Sequence, residues 1–160
     1  MGTTSYAIAL GSNRPGRHGP PAREIAAALA ALGRVSAVSP VLHSAALGPS
    51  RRRYANAVAI LETGEAPPAL LTRLKAIERG FGRRPGLRWG ARVIDLDIIL
   101  WSEGAWSSPG LTIPHPQFRA RGFVLDPLAR IAPAWRDPIS GRSVRQLRVR
   151  LGRSRSAPRR

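Results

Sequence analysis

Two spacings of apolar residues alternate along this chain. Short apolar runs that are typical of strands cover residues 5–10, 34–44, 54–62 and 93–101. Between them, apolar residues three and four positions apart follow prolines and predict helices from Pro20 to about Leu32 and from Pro67 onward. The order β-α-β-β-α-β predicts an α+β fold with a ferredoxin-like βαββαβ core, in which two helices cover one face of a mostly antiparallel sheet.

Glycine and proline mark the ends of these elements. Gly33 predicts the end of the first helix. Pro40 predicts that its strand lies at a sheet edge, because proline has no N–H for a central ladder. The remaining pattern predicts a C-terminal hairpin and helical extension: a hairpin around Trp106–Ile113, a short helix near Arg119–Ala129 and a last amphipathic stretch.

Length and composition narrow the class of protein. The 160 residues are 43% hydrophobic and contain no cysteine, so a globular chain without disulfides or thiolate metal sites is expected. No apolar run reaches about 18 residues, and the first residues do not resemble a signal peptide, so we expect a cytoplasmic protein without a membrane partner. Without a repeat or linker, residues 1–151 are expected to form one domain and residues 152–160 a disordered basic tail.

The charge is strongly positive. The formal net charge is +17, and Lys75 is the single lysine among 26 basic residues. Eight arginines lie in residues 142–160, which contain no acid. This balance favours anionic partners such as nucleotides or nucleic acid. For the C-terminal segment, a binding role and a generally arginine-rich composition both stay open.

Two aspartates on the last core strand are the main candidates for chemistry. Because alternate side chains of a strand share a face, Asp95 and Asp97 should lie on one face, with their Cα atoms about 6.6 Å apart. The apolar residues Ile94, Leu96, Ile98 and Leu100 should share the other face. Two carboxylates at this spacing suit one or two divalent cations that also bind substrate phosphates. The alternative is a solvated strand face.

Basic residues flank this strand. Arg83, Arg84, Arg88 and Arg92 lie among glycines, and arginine is a bidentate donor to phosphate. A solvated basic loop is the alternative for the first three, whereas Arg92 lies one residue before the predicted strand and should be held rigidly. His115 lies between two prolines, whose fixed φ angles suit either a rigid phosphate contact or a simple turn.

Three further side chains have two interpretations each. Asn56 can read the amide-like edge of a heterocycle, or it can be a satisfied strand residue. Tyr54 and Phe123 can stack on an aromatic ligand, or they can belong to the core.

Taken in order, these residues form a recurring set of motifs. The set comprises Ile8-Ala9-Leu10-Gly11-Ser12-Asn13, Tyr54-x-Asn56, Ile77-Glu78, Gly82-Arg83, Arg88-Trp89-Gly90-x-Arg92-x-x-Asp95-Leu96-Asp97-Ile98, Ile113-Pro114-His115-Pro116 and Arg121-x-Phe123-Val124-Leu125-x-Pro127-Leu128. Their order and spacing resemble the 6-hydroxymethyl-7,8-dihydropterin pyrophosphokinase family over about residues 5–135.

The resemblance implies an activity and a set of site residues. The reaction would transfer pyrophosphate from ATP to the pterin hydroxymethyl group and release AMP, as a step of folate biosynthesis. Two Mg²⁺ ions would be held by Asp95 and Asp97. Catalytic roles would belong to Arg83 and Arg92. ATP would be bound by Glu78, Arg88, Arg92, Ile98, Thr112, His115 and Arg121. The pterin would be bound by Ser44, Leu47, Tyr54, Asn56, Trp89 and Phe123.

The chain departs from the family pattern at a few positions. Ala45 and Ala46 stand in a loop that usually carries Thr and prolines, Ala91 replaces a usual Pro, and Lys75 stands where Gln is usual. We expect a monomer that acts on small molecules rather than nucleic acid. A nucleic-acid-binding domain is the main alternative, since Arg121-Gly122-Phe123-Val124 echoes part of an RNA-recognition signature. Two carboxylates on the sheet face argue against it, because they would repel phosphate. An inactive scaffold is a third possibility.

Overall fold

The computed structural model describes residues 2–44, 54–82 and 92–156. The strands are β1 (Thr4–Ser12), β2 (Val35–Val38), β3 (Leu42–Ser44), β4 (Tyr54–Thr63), β5 (Asp95–Trp101), β6 (Trp106–Ser108) and β7 (Leu111–Ile113). The helices are α1 (Pro21–Leu32), α2 (Pro67–Gly80), α3 (Gly122–Ile131) and α4 (Val144–Ser156), with a 3₁₀ turn over Phe118–Ala120.

The main sheet has the strand order β2-β4-β1-β5, and β3 pairs with β4 beyond the end of β2. All of these pairs are antiparallel. If β2 and β3 are counted as one interrupted strand, this is the ferredoxin-like order, so the predicted α+β fold is confirmed.

Each face of the sheet is covered by a pair of helices. On one face, α1 and α2 bury apolar side chains such as Ile25 and Leu74 against Tyr6, Ile8 and Leu10 of β1. On the other face, the C-terminal extension packs Val124, Leu125, Leu128, Val144 and Leu147 against Ala7, Val58 and Ile60. The extension is therefore part of the core rather than an appendage.

A β-bulge in β5 changes which face its last residues occupy. Ile8 pairs with Ile98, whereas Ala7 pairs with Leu100, so Ile99 is the additional residue. Ile98 packs with the α1–α2 layer, but Leu100 lies in the α3–α4 core. The prediction that Leu100 shares a face with Ile94, Leu96 and Ile98 is wrong, because strict alternation does not pass through a bulge.

The strand predicted over residues 34–44 is two strands. Between them, Ser39 donates its backbone N–H to the carbonyl of Val58, and its hydroxyl accepts the Val58 N–H, each at 2.9 Å. Pro40 follows and has no N–H to continue the ladder. The edge position of β2 is confirmed.

The C-terminal extension forms the predicted hairpin from β6 and β7 and the predicted helix as α3. However, α4 continues to Ser156, so the prediction of disorder from residue 152 is wrong as far as that residue. Arg153 and Arg155 lie in the last turn of α4, where positive charge is favoured by the helix dipole. Within the described ranges, none of the helices combines the length and apolarity needed to cross a membrane.

Candidate active site

The candidate site lies on the α3–α4 face of the sheet, where β1 runs between β4 and β5. Gly11 of β1 lies directly between Asn56 of β4 and Asp95 of β5 in the strand register. One step along, Ala9 lies between Val58 and Asp97. A Cβ atom on Gly11 would come within 3.2 Å of the Asn56 side-chain oxygen. The small residues Gly11 and Ala9 of β1 therefore separate an amide on β4 from two carboxylates on β5.

The two aspartates share a face, as predicted, and they repel each other. Burial and then the neighbouring charge of Asp95 raise the pKa of Asp97, while His115, Arg121 and Lys75 oppose this shift. Carboxylates that destabilise each other's charge are what a divalent cation would relieve, and oxygen ligands of this kind suit Mg²⁺. Across the described parts of the chain, no cluster of three or more His, Cys, Asp or Glu residues forms a complete protein cage. Further ligands would have to come from water or substrate phosphates.

Arg92 is anchored beside the carboxylates. Its Nη1 lies 3.1 Å from Oδ1 of Asp95. Its backbone N–H donates to the side-chain oxygen of Asn13 at 2.6 Å, and the Asn13 N–H donates to its carbonyl at 3.1 Å. The prediction that Arg92 is rigidly held agrees with these contacts, although β5 begins at Asp95 rather than at residue 93.

His115 and Arg121 approach the same carboxylates from the C-terminal extension. The backbone N–H of His115 donates to the Ile99 carbonyl at 3.0 Å, which ties this segment to the edge of β5. The Gln117 N–H donates to His115 Nδ1 at 3.1 Å, so the neutral imidazole carries its proton on Nε2. Burial lowers the pKa of His115, although Asp97 opposes the shift. Arg121 is held by a 2.6 Å bond to the Gln117 side-chain oxygen.

Two aromatic rings stand exposed near these groups. Tyr54 is 37% exposed at the start of β4, on the same face as Asn56, and Phe123 is 40% exposed in the first turn of α3. The Arg121 guanidinium lies 5.6 Å from the centre of the Phe123 ring. The interpretation of these two rings as core residues is therefore wrong, because neither is buried. Ser44 pairs with Tyr54 across β3 and β4.

Three predicted ATP contacts, Ile98, Glu78 and Thr112, are placed differently from the aspartate pair and its arginine and histidine neighbours. The side chain of Ile98 is buried in the α1–α2 core, so only its backbone is available to a ligand. Glu78 is 1% exposed, and its Oε2 accepts the backbone N–H of Leu96 at 3.2 Å, which covers the edge of β5. Thr112 is exposed on β7.

Other predicted residues and departures lie outside the described residues, namely Leu47, Arg83, Arg84, Arg88, Trp89, Ala45, Ala46 and Ala91. Lys75 is described, and its Nζ lies 3.8 Å from Oε1 of Glu78.

Two supporting residues were not predicted as parts of the site. Asn13 fixes Arg92, and Gln117 orients both His115 and Arg121. The polar Gly11-Ser12-Asn13 sequence directly after an apolar strand was a signal for Asn13. Gln117 had no comparable signal, since its role depends on the fold of the extension.

An aspartate pair faced by arginine and histidine on an antiparallel sheet defines an α+β domain suited to a metal-associated anionic ligand. The family model described as 7,8-dihydro-6-hydroxymethylpterin-pyrophosphokinase (HPPK) matches residues 7–133. The chain belongs to this family.

Bacterial relatives agree with this assignment. The chain is 45% identical over 146 residues to the 2-amino-4-hydroxy-6-hydroxymethyldihydropteridine pyrophosphokinase of Pseudomonas aeruginosa, a match that covers 88% of this chain and 87% of that protein. It is 42% identical over 137 residues to the protein of the same name from Synechocystis, covering 82% and 70% respectively.

A solved structure agrees on the fold. Plasmodium falciparum HPPK-DHPS, crystallised with pteroate, matches with a TM-score of 0.73 at 12% identity. The match covers 92% of this chain but only 44% of the Plasmodium chain. This chain therefore spans less than half the length of that protein.

Proposed function

We infer that this protein transfers pyrophosphate from ATP to 6-hydroxymethyl-7,8-dihydropterin, giving the pterin diphosphate and AMP in folate biosynthesis. Membership of the pyrophosphokinase family supports this activity. The observation that carries it is the strand register, which sets the Asn56 amide on one side of Gly11 and the carboxylates of Asp95 and Asp97 on the other. The amide side suits a heterocycle, and the carboxylate side suits a metal-bound triphosphate.

Asp95 and Asp97 would hold two Mg²⁺ ions together with the phosphates of ATP. The fit rests on the mutual repulsion of the two carboxylates and on the preference of Mg²⁺ for carboxylate oxygens. When bound, the ions neutralise phosphate oxygens and orient the triphosphate.

The phosphate-binding side chains act by positioning and by neutralising charge. The pterin hydroxymethyl oxygen must attack the β-phosphorus in line with the departing AMP oxygen. Arg92 and Arg121, with His115 donating from Nε2, would stabilise the oxygens on which negative charge accumulates. Arg83 is assigned a catalytic role with Arg92. The further ATP contacts are assigned to Glu78, Arg88, Ile98 and Thr112.

The pterin would stack between Tyr54 and Phe123, while Asn56 reads its amide-like edge with a paired donor and acceptor. Ser44, Leu47 and Trp89 are assigned to the same ligand. Excluding water matters here because water is the competing acceptor of the pyrophosphoryl group.

We propose one cytoplasmic domain that works as a monomer. The absence of cysteine is compatible with a reducing compartment. The packing of α3 and α4 on the sheet supports a domain that includes α4.

The test is AMP release from Mg²⁺-ATP, measured with and without 6-hydroxymethyl-7,8-dihydropterin, for the natural chain and for Asp95→Ala. We expect AMP release that depends on the pterin and falls to background in the variant. A folded natural chain that binds Mg²⁺-ATP but releases no AMP with this pterin would contradict the proposed acceptor.

A further inference from the structure

Glu24 is a buried carboxylate that the proposed reaction leaves without a role. It lies in α1 and is 0% exposed. Its Oε1 accepts the His18 backbone N–H at 2.7 Å, and its Oε2 lies 2.9 Å from Nδ1 of the same histidine. A carboxylate at this depth costs free energy that an apolar residue in the same helix position would avoid. The hydrogen bonds between Glu24 and His18 therefore indicate that Glu24 has a role beyond the packing of α1.

The residues between Asn13 and Gly19, which we call the 13–19 loop, are seated on this carboxylate. Gly16 and Gly19 exchange two backbone hydrogen bonds of 3.0 and 3.1 Å, which close the loop on itself. A Cβ atom on Gly16 would lie 2.7 Å from Oε1 of Glu24 and 2.6 Å from Cγ1 of Val93. The loop backbone is thus pressed between Glu24 and the residue that follows Arg92.

The same loop holds two other parts of the molecule. At one end, Asn13 exchanges two hydrogen bonds with the backbone of Arg92. At the other end, the His18 ring lies 4.9 Å from the ring of Phe81, just after α2. Since Arg92 contacts Asp95 at 3.1 Å, a continuous path of contacts leads from Glu24 to the carboxylate pair.

We propose that Glu24, acting through His18, is a positioning residue for Arg92. It fixes the 13–19 loop and thereby places the Arg92 guanidinium beside Asp95. The inference rests on the proposed function, in which Arg92 stabilises charge that develops during transfer. Misplacing such a group should lower kcat more than it raises KM, because the lost interaction is strongest in the transition state.

The first test compares Glu24→Leu with Glu24→Gln. Leu fills the buried site without accepting a hydrogen bond, whereas Gln keeps the shape and an acceptor oxygen for the His18 N–H. For Glu24→Leu we expect a kcat about tenfold lower and a KM within about twofold. The His18 N–H loses its acceptor, so the Tm should fall, but the core amides should stay protected. Glu24→Gln should restore kcat to within about threefold of the natural value, because the acceptor is kept.

A second readout does not depend on ligands. The Arg92 amide donates to Asn13, so its hydrogen exchange reports whether the loop is in place. In the protein without ATP or metal, we expect this amide to exchange about tenfold faster in Glu24→Leu, while core amides of β1 and β4 exchange at unchanged rates.

Variants of His18 test the same contact if the Glu24→Leu chain does not fold. His18 is 34% exposed, so its substitution disturbs the core little. His18→Phe keeps a ring against Phe81 but loses the bond to Oε2, and His18→Ala loses both. We expect both variants to lower kcat, Ala more than Phe. The matched control is Glu65→Gln, which alters a carboxylate bonded to Arg73 and should leave kcat and KM unchanged.

The results separate this inference from the proposed function. If the natural chain releases no pterin-dependent AMP, the proposed function fails, whereas the exchange of the Arg92 amide still tests the positioning role. If the natural chain is active but Glu24→Leu and both His18 variants keep kcat within twofold and leave the Arg92 amide protected, the positioning role is overturned. Exchange that is faster throughout the core, and not only at the Arg92 amide, would also overturn it, since it would show a purely structural role.

Discussion

Asp137 and the aspartate pair on β5 differ in how the surrounding chain stabilises their ionised forms. Asp137, in the segment between α3 and α4, is 0% exposed, and Arg119 donates to both of its oxygens at 2.5 and 2.8 Å. Burial alone would raise the pKa of Asp137, but the bonds from Arg119, the Ile139 N–H and the Ser140 hydroxyl outweigh it and hold the pKa at about 2. On β5, by contrast, burial and Asp95 raise the pKa of Asp97.

The difference separates a carboxylate that serves the fold from one that serves a ligand. The chain itself supplies every partner that the ionised form of Asp137 needs, so this residue locks the segment before α4 in place. The chain places Asp97 beside another carboxylate, which leaves its ionised form stabilised less well than in water. We interpret the poor stabilisation of the ionised Asp97 as a loss of folding free energy that a bound cation would offset.

The largest expected effect is on Asp97. Substituting Asp97→Asn removes a proposed metal ligand and also the repulsion from Asp95. We expect pterin-dependent AMP release to fall by about a thousandfold or more, roughly 4 kcal/mol in the barrier, while the free energy of unfolding stays equal or rises. Initial rates and urea denaturation of the same preparations measure both quantities.

Asp126→Asn is the matched control, since it makes the same change on an exposed face of α3. It should leave the rate unchanged. An Asp97→Asn protein that is as active as this control would remove the metal assignment, and one that is strongly destabilised would reverse the comparison with Asp137.

The next effect is on stability. Asp137→Ala leaves Arg119 without its partner and removes the acceptor for the Ile139 N–H. We expect a loss of about 3 kcal/mol in the free energy of unfolding, because Arg119, the Ile139 N–H and the Ser140 hydroxyl all lose the acceptor that Asp137 provides. The activity per folded molecule should not change. Chemical denaturation monitored by tryptophan fluorescence measures the loss, and a loss below about 1 kcal/mol would show that the pair is energetically equivalent to a surface one.

These contrasts also show what could be predicted from sequence. Alternation placed Asp95 and Asp97 on one face, and helical spacing with Gly33 placed α1 correctly. Such predictions succeed because they depend on local geometry alone. The face of Leu100 was predicted wrongly because a single bulge reversed the alternation, and a bulge depends on the pairing partner.

Long-range contacts account for the rest. Nothing near Glu24 in the sequence indicates that it supports a loop on Val93, and nothing near Asp137 indicates Arg119, 18 residues earlier. The extent of α4 was underestimated because its arginines suggested a solvated tail. In the structure, Val144 and Leu147 anchor the helix against the sheet. The arginine content of α4 indicates its charge but not its packing, which depends on Val144 and Leu147.

The low pKa of Asp137 makes a prediction about acid. A folded-state pKa of about 2 lies below the ordinary value of about 3.9, so Asp137 contributes stability above pH 4 and loses it as the pH falls toward 2. We expect this one group to account for up to about 2 kcal/mol of the loss between pH 5 and pH 2. Urea denaturation across this range should show a shallower pH dependence for Asp137→Asn than for the natural chain. Parallel curves would contradict the assignment.

The smallest effect is expected at the exposed pair of Asp126 and Arg148, which links α3 to α4. Their side chains are 48% and 57% exposed and approach within 2.9 Å. Water screens such a pair, and ordering two long side chains costs entropy, so the coupling energy should be about 0.5 kcal/mol or less and should fall further in 1 M salt. A double-mutant cycle with Asp126→Ala and Arg148→Ala measures it. A coupling as large as that of Asp137 with Arg119 would mean that α4 is held in place by charge at its surface rather than by Val144 and Leu147 beneath it.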